Sequence, residues 1–359
     1  MSRKAYLVLE NGTYFEGESF GAEKETTGEL VFTTSMVGYL ETLTDPSYYG
    51  QVVVQTFPLF GNYGVIPADF ESHAPVLSAY ICRSWCQEPS NFRCQGDLDT
   101  FFKDTGVVGL CGIDTRKLTK IIRNQGVMNC KITYSLDNLD KDIEDLKSYE
   151  IKDAVKNTST KEVYEVKTEN PEYNVVVMDM GATHGVEKVL ANKNCNVTVV
   201  PYNTSAEDIM DLNPDGVVIS DGPGNPCENV ETINTIKALC DKKVPMFGIV
   251  LGHQLLALSQ GAKTEKLLYG HRGASQPAKE VRTNAVYITT QNHNYAVVND
   301  TVPANATITF VNSNDGTCEG IEYNNIPAFS VQFAPSPSGG PRNPEALFDH
   351  FVDLMKENK

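Results

Sequence analysis

Apolar and polar positions change rhythm about halfway along the 359-residue chain. In the first half the apolar runs are short and β-like. AYLVLENGTYFEG (5–17) predicts two strands around an Asn11-Gly12 turn, a hairpin signal. GELVFTTSMVGYLETLTDPSYYGQVVVQTFPLFGNYG (28–64) alternates strand-like runs with Asp-Pro and Gly-rich turns. VVGLCGIDTRKLTKIIRNQG (107–126) starts as a buried strand and becomes a helix, with Asp114 or Thr115 as N-cap and Gly126 as terminator. Residues 135–170 are charged and poor in aromatics, which predicts a helix and then an exposed linker ending near Pro171.

Beyond that point strands and helices alternate. NVVVMD (174–179), NVTVVPY (196–202), DGVVIS (215–220) and VPMFGI (244–249) read as strands. Thr204-Ser-Ala-Glu207 forms a capping-box pattern that opens a helix to about Leu212. Further helices are predicted near 228–240 and over 251–261, the latter with Leu251, Leu255 and Leu258 on its apolar stripe and Gly261 at its end. The expected class is α/β. A mixed β/α domain (1–150) and a linker (151–172) precede a second domain (173–359) with an open, mostly parallel sheet and helices on both faces.

Composition adds exclusions. The formal net charge is −16, and such a surface repels phosphate backbones, so no nucleic-acid partner is expected. No apolar run approaches the roughly 20 residues of a membrane helix. The N-terminus passes directly into a strand pattern, which points to a cytoplasmic protein without membrane attachment. Nine scattered cysteines argue for reduced thiols. Cys82, Cys86 and Cys94 lack the paired spacing of a metal site, and no metal is expected on the chain. GPGNP (222–226) and GNYG (61–64) lack the spacing of a phosphate loop, so no nucleotide is expected either.

The chemistry concentrates at Gly248-Ile249-Val250-Leu251-Gly252. A buried strand runs straight into a helix here, and flanking glycines allow the sharp turn of a nucleophile elbow. The helix N-terminus offers unpaired N–H groups and a positive dipole end for an anionic intermediate. The middle residue, Val250, has no heteroatom and cannot attack. Taken alone, the pentapeptide fits an ordinary tight strand-to-helix turn equally well.

FGIVLGHQLLA (247–257) resembles the elbow of class I glutamine amidotransferases, which place Cys at the position of Val250. SDGPGNP (220–226) resembles the family's oxyanion loop, with Asn225 where Asp is usual. VYITTQNHNYAV (286–297) and GIEYNNIPAFSVQF (320–333) are similar to its later pocket and triad segments. TTSMVGYLETLTDPSYYGQ (33–51), PLFGNYGV (58–65) and GIDTRKLTKIIRNQG (112–126) narrow the resemblance to the carbamoyl phosphate synthetase small subunit, over nearly the whole chain.

That resemblance implies a glutaminase-type domain beside an N-terminal domain that assembles with a large synthetase subunit. ATP and metal are expected on the large subunit, and no cofactor on this chain. In the family a Cys thiolate attacks glutamine, a His moves protons and a Glu orients the His; the ammonia feeds carbamoyl phosphate synthesis for pyrimidines and arginine. Here those positions are Val250, Ala334 and Ser336, so glutamine hydrolysis is expected to be lost. Glutamine itself would be held by Ser35, Gly222, Gly224, Leu251, Gln254, Asn292, Asn294 and Tyr295, with the N–H groups of Gly222 and Leu251 forming the oxyanion hole. Asn294 stands where Gly is usual; MGATHG (180–185) lacks the usual Lys and Asn, and Ser275-Gln276 replaces a common Asn-His. His253 belongs to the family's normal Gly-His-Gln pattern, and His293 is expected near the pocket. Two alternatives stay open: an unorthodox glutaminase recruiting a residue such as Cys227, and a glutamine-binding sensor or interaction protein no longer tied to carbamoyl phosphate.

Overall fold

The computed structural model describes residues 3–336 and 340–359. The chain forms two compact units, Met1–Lys152 and Asp153–Lys359.

Unit 1 is built on strands β1 (Arg3–Leu9), β2 (Tyr14–Gly21), β3 (Thr26–Thr33), β4 (Gln51–Gln55), the two-residue β5 (Leu59–Phe60), β6 (Ala79–Ile81), the two-residue β7 (Ser84–Trp85), β8 (Val108–Cys111) and β9 (Met128–Thr133). Seven of them close a barrel in the order β1-β2-β8-β6-β4-β3-β9, with β9 returning to β1. The expected hairpin is present: β1 and β2 pair antiparallel across Asn11-Gly12. Alternate residues along the strands serve two cores, as the two-residue period requires. Leu7, Leu9, Leu30, Val52, Val54 and Ile81 pack with Leu118 and Ile122 of α3 (Thr115–Gln125). Val31, Val53 and Tyr80 pack with Leu40 and Leu43 of α1 (Tyr39–Thr44) and Phe102 of α2 (Leu98–Thr105). Asp114 caps α3 by accepting from the Lys117 N–H, and Gly126 ends it, both as the sequence predicts. Helix α4 (Leu139–Lys147) follows β9.

The charged stretch 151–172 is more than a linker. It carries α5 (Ala154–Thr158) and β10 (Tyr164–Val166), and both belong to unit 2. β10 is a largely exposed edge strand, so it lacks the apolar alternation by which a strand is recognised.

Unit 2 continues with β11 (Tyr173–Asp179), α6 (His184–Asn192), β12 (Cys195–Pro201), α7 (Ala206–Asp211), β13 (Gly216–Ile219), α8 (Val230–Asp241), β14 (Met246–Ile249) and α9 (Leu251–Ser259). There follow β15 (Thr264–Glu280), β16 (Val286–Val297), β17 (Ala306–Asn312), β18 (Cys318–Tyr323), β19 (Ala328–Val331) and α10 (Ala346–Glu357). One sheet runs β10-β12-β11-β13-β14-β19-β18-β17-β15-β16. Its core, β12-β11-β13-β14-β19, is parallel, as strand–helix alternation demands. The strands added from β18 to β16 are antiparallel. Both faces of the core are covered: Val176, Met178 and Ile219 pack with α7, α8 and α9, while Val175, Val177 and Val218 pack with α6 and α10. The cap of α7 lies one residue later than the capping-box pattern suggests. Ser205 accepts from the Asp208 N–H, whereas the Thr204 hydroxyl donates to the Pro201 carbonyl.

Candidate functional site

The site is organised by the junction between β14 and α9. Val250 has φ +50° and ψ −98°, a conformation that a β-branched side chain rarely adopts. Strain of this kind costs on the order of 1–3 kcal/mol and persists only where the surroundings impose it. Here the surroundings are packed backbone. A Cβ on Gly252 would stand 2.1 Å from the Ile219 carbonyl oxygen, and one on Gly248 would stand 2.7 Å from the Gly252 carbonyl oxygen. Glycine at both positions lets α9 press against the end of β13, which leaves the intervening chain a single sharp path. The Val250 N–H donates to the Val331 carbonyl at 2.9 Å and fixes the turn to β19. The elbow is intact, and an isopropyl group occupies it.

The glycine-rich loop after β13 sits against this turn. The Gly252 N–H donates to the Ser220 carbonyl at 3.1 Å, and the Ser220 hydroxyl accepts from the Met180 N–H at 2.9 Å. Gly222 approaches the Met180 carbonyl so closely that a Cβ would lie 2.2 Å from it, and Gly224 has φ +92°. Leu251 is the first residue of α9, where an amide has no acceptor within the helix.

Gln254, one turn into α9, is 2% exposed. Its amide nitrogen donates to the Tyr295 carbonyl at 2.7 Å and to Gln332 Oε1 at 3.0 Å. The Gln332 amide in turn donates to the Val250 carbonyl at 3.4 Å. These bonds draw together the elbow, the β16 segment and the chain after β19. Ala334 joins the same region through an antiparallel bridge, its N–H donating to the Thr290 carbonyl at 2.9 Å. Ser336 is buried. Asn292 pairs in register with Arg272, and the Asn294 side-chain oxygen accepts from the Arg272 guanidinium. Ser35 belongs to unit 1, where its carbonyl accepts from Gln55 Nε2 at 2.8 Å.

His253 is fully buried. Its Nδ1 lies 2.8 Å from the Ser330 hydroxyl, Nε2 has no partner, and burial lowers its pKa to about 3. A neutral imidazole locked behind the elbow is structural. Cys227 is exposed, with its thiol 3.6 Å from the Thr264 hydroxyl.

A second cluster lies on β15, β16 and β18. His271 and His293 are direct cross-strand partners with rings 4.9 Å apart, and Glu319 is wholly buried beside them. Burial alone would lower the His271 pKa, but hydrogen bonds to Asp315 and Glu319 outweigh it and raise the value to about 9. Burial, reinforced by the charge on His271, holds His293 neutral. Sequence reading placed His293 near the pocket but missed His271, Glu319 and Gln332, because their strands are distant in sequence. An Asn-His pair at 292–293 flanked by a strand pattern was the available signal.

Residues 7–132 match the model described as carbamoyl-phosphate synthase small chain, CPSase domain, and residues 176–354 match glutamine amidotransferase class-I. A carbamoyl phosphate synthase small chain of Clostridium perfringens is 48% identical over 97% of this chain and 99% of its own length.

The chain belongs to the carbamoyl-phosphate synthase small-chain family.

Members bearing that name in Staphylococcus epidermidis and Oceanobacillus iheyensis are 44% and 45% identical, over 100% and 99% of this chain and 98% and 97% of theirs. The crystal structure of a glutamine amidotransferase from Thermotoga maritima aligns with 52% of this chain and 85% of its own at 18% identity, with a TM-score of 0.39. Among the described residues no helix is long and apolar enough to cross a membrane.

Proposed function

We propose that this chain serves as the small subunit of a carbamoyl phosphate synthase complex that makes its product from ammonia rather than from glutamine. The observation that carries this reading is Val250 at the apex of an intact elbow. A strained turn of this kind presents its central side chain to a substrate, and an isopropyl group can neither attack a carbonyl nor be activated by a base. Ala334 cannot move a proton, and a serine at 336 cannot orient an imidazole that is absent. Losing a whole triad costs roughly a millionfold in turnover in a serine protease, and an oxyanion hole alone leaves about a thousandfold over water. Family membership supports a partnership with a large synthetase subunit that handles bicarbonate and ATP, and supply to pyrimidine and arginine synthesis as the role.

The retained contacts of Gln254 support a second reading. The helix–strand bridge that frames a glutamine pocket is still made, so the chain would bind glutamine without hydrolysing it. Carbamoyl phosphate formation by this chain with its cognate large subunit, with glutamine and ammonium chloride compared as nitrogen donors, tests both. Activity with ammonium alone supports the proposal. Activity with glutamine overturns it, and tight glutamine binding in the absence of any large-subunit complex favours a sensor.

A further inference from the structure

We propose that His271, His293 and Glu319 form a binding site for a divalent transition metal, with zinc the best match, that ties together the three strands carrying them. Their ligating atoms all lie within 4.8 Å of one another, and all three residues are buried. His271 Nδ1 and Glu319 Oε1 are 3.5 Å apart. That is about the edge of a tetrahedron of ligands bound at 2.0–2.2 Å, so this pair needs almost no movement to share an ion.

The outer contacts select the nitrogens that face inward. His271 turns Nε2 to the Asp315 carboxylate at 2.9 Å, which leaves Nδ1 toward Glu319. His293 gives Nδ1–H to the Tyr295 carbonyl at 2.8 Å, which leaves a lone pair on Nε2. One imidazole anchored by a carboxylate and the other by a backbone carbonyl is the arrangement that fixes tautomer and ring angle in metal-ligating histidines. Oε2 of the Glu319 carboxylate is held in turn by the Gln291 amide at 2.8 Å.

His293 Nε2 offers a further ligand position beside a second oxygen donor. It lies 3.2 Å from Gln291 Oε1, an oxygen that can only accept. The Tyr295 carbonyl accepts Nδ1–H, so in a ring with a single N–H one lone pair faces another here. A cation between them removes the conflict, with Gln291 Oε1 as a fourth ligand. Two imidazoles with oxygen donors suit zinc or cobalt better than magnesium or calcium, which prefer all-oxygen sites. The Asn312 amide, 3.4 Å from His271 Nδ1, must turn aside.

Zinc chloride is titrated calorimetrically into chelator-stripped full-length protein at pH 8, and the visible spectrum of the cobalt(II)-loaded protein is recorded. The expected result is about one equivalent bound, with an intense tetrahedral cobalt band. Glu319→Gln, nearly isosteric, is expected to weaken zinc by about 100-fold or more, and Asp315→Asn, half-exposed and no ligand itself, by about 10- to 100-fold. Circular dichroism of both variants checks folding. Zinc affinity equal in wild type and both variants, or a cobalt spectrum with only the weak octahedral band, overturns the proposal.

Discussion

The amide of Val250 and the carbonyl of Val331 are joined at 2.9 Å, and that bond holds a β-branched residue at φ +50°. The turn is therefore imposed by its neighbours and not by the preference of the residue at its apex. Any side chain placed there inherits the same strained backbone.

Restoring the reactive groups should restore the reaction. Val250→Cys combined with Ala334→His and Ser336→Glu is expected to release ammonia from glutamine when assayed with the large subunit. Val250→Cys alone should stay below about a thousandth of that rate, since its thiol has no base beside it. Glutamate dehydrogenase-coupled ammonia assays distinguish the two.

Gly252 has no room for a methyl group. Gly252→Ala sets a Cβ against the backbone of Ile219, which cannot rotate away. We expect a loss of about 3 kcal/mol, at the upper end for overpacking, read from urea unfolding. An unchanged midpoint would show that α9 can slide off β13.

Stability should fall on the acid side because of His253. Its folded-state pKa, lowered by burial to about 3, lies below the 6.5 of the unfolded chain. The contribution is complete above pH 6.5 and is lost as pH falls toward 3, when only the unfolded state takes up the proton. The slope is about 1.4 kcal/mol per pH unit, or about 2 kcal/mol between pH 6.5 and pH 5. His253→Asn keeps a polar group near Ser330 and does not titrate, so urea midpoints between pH 7 and pH 5 should drop less than in wild type.

Gln254 links three segments through one amide. Gln254→Leu leaves the Tyr295 carbonyl and the Gln332 amide without that partner, at an expected cost of about 1–3 kcal/mol. Calorimetry with glutamine should show weakened binding if the pocket depends on this bridge; unchanged affinity would place the ligand elsewhere.

Much of the architecture is legible in the sequence where local signals are strong. Asp114 and Gly126 bracket α3 because capping depends on a few neighbouring residues, and the parallel core of unit 2 follows from long alternating runs. The elbow is readable for the same reason, since Gly248 and Gly252 lie on either side of it. β10 escaped because an exposed edge strand needs no apolar face, and α7 starts one residue late because Thr204 found a carbonyl in the preceding turn. The network of Gln254, Tyr295 and Gln332 and the pairing of His271 with Glu319 escaped for another reason. Such contacts depend on strand order, which no short window of sequence encodes.

The barrel of unit 1 has a consequence for association. A ring of strands closed by β9 on β1 leaves none of its seven strands as a free sheet edge, which disfavours association by strand addition. The connecting segments carry Met36, Val37, Phe57 and Phe92 as exposed apolar side chains outside the ring. Substitutions at these positions can therefore change the surface of the unit without disturbing a strand pairing of the barrel.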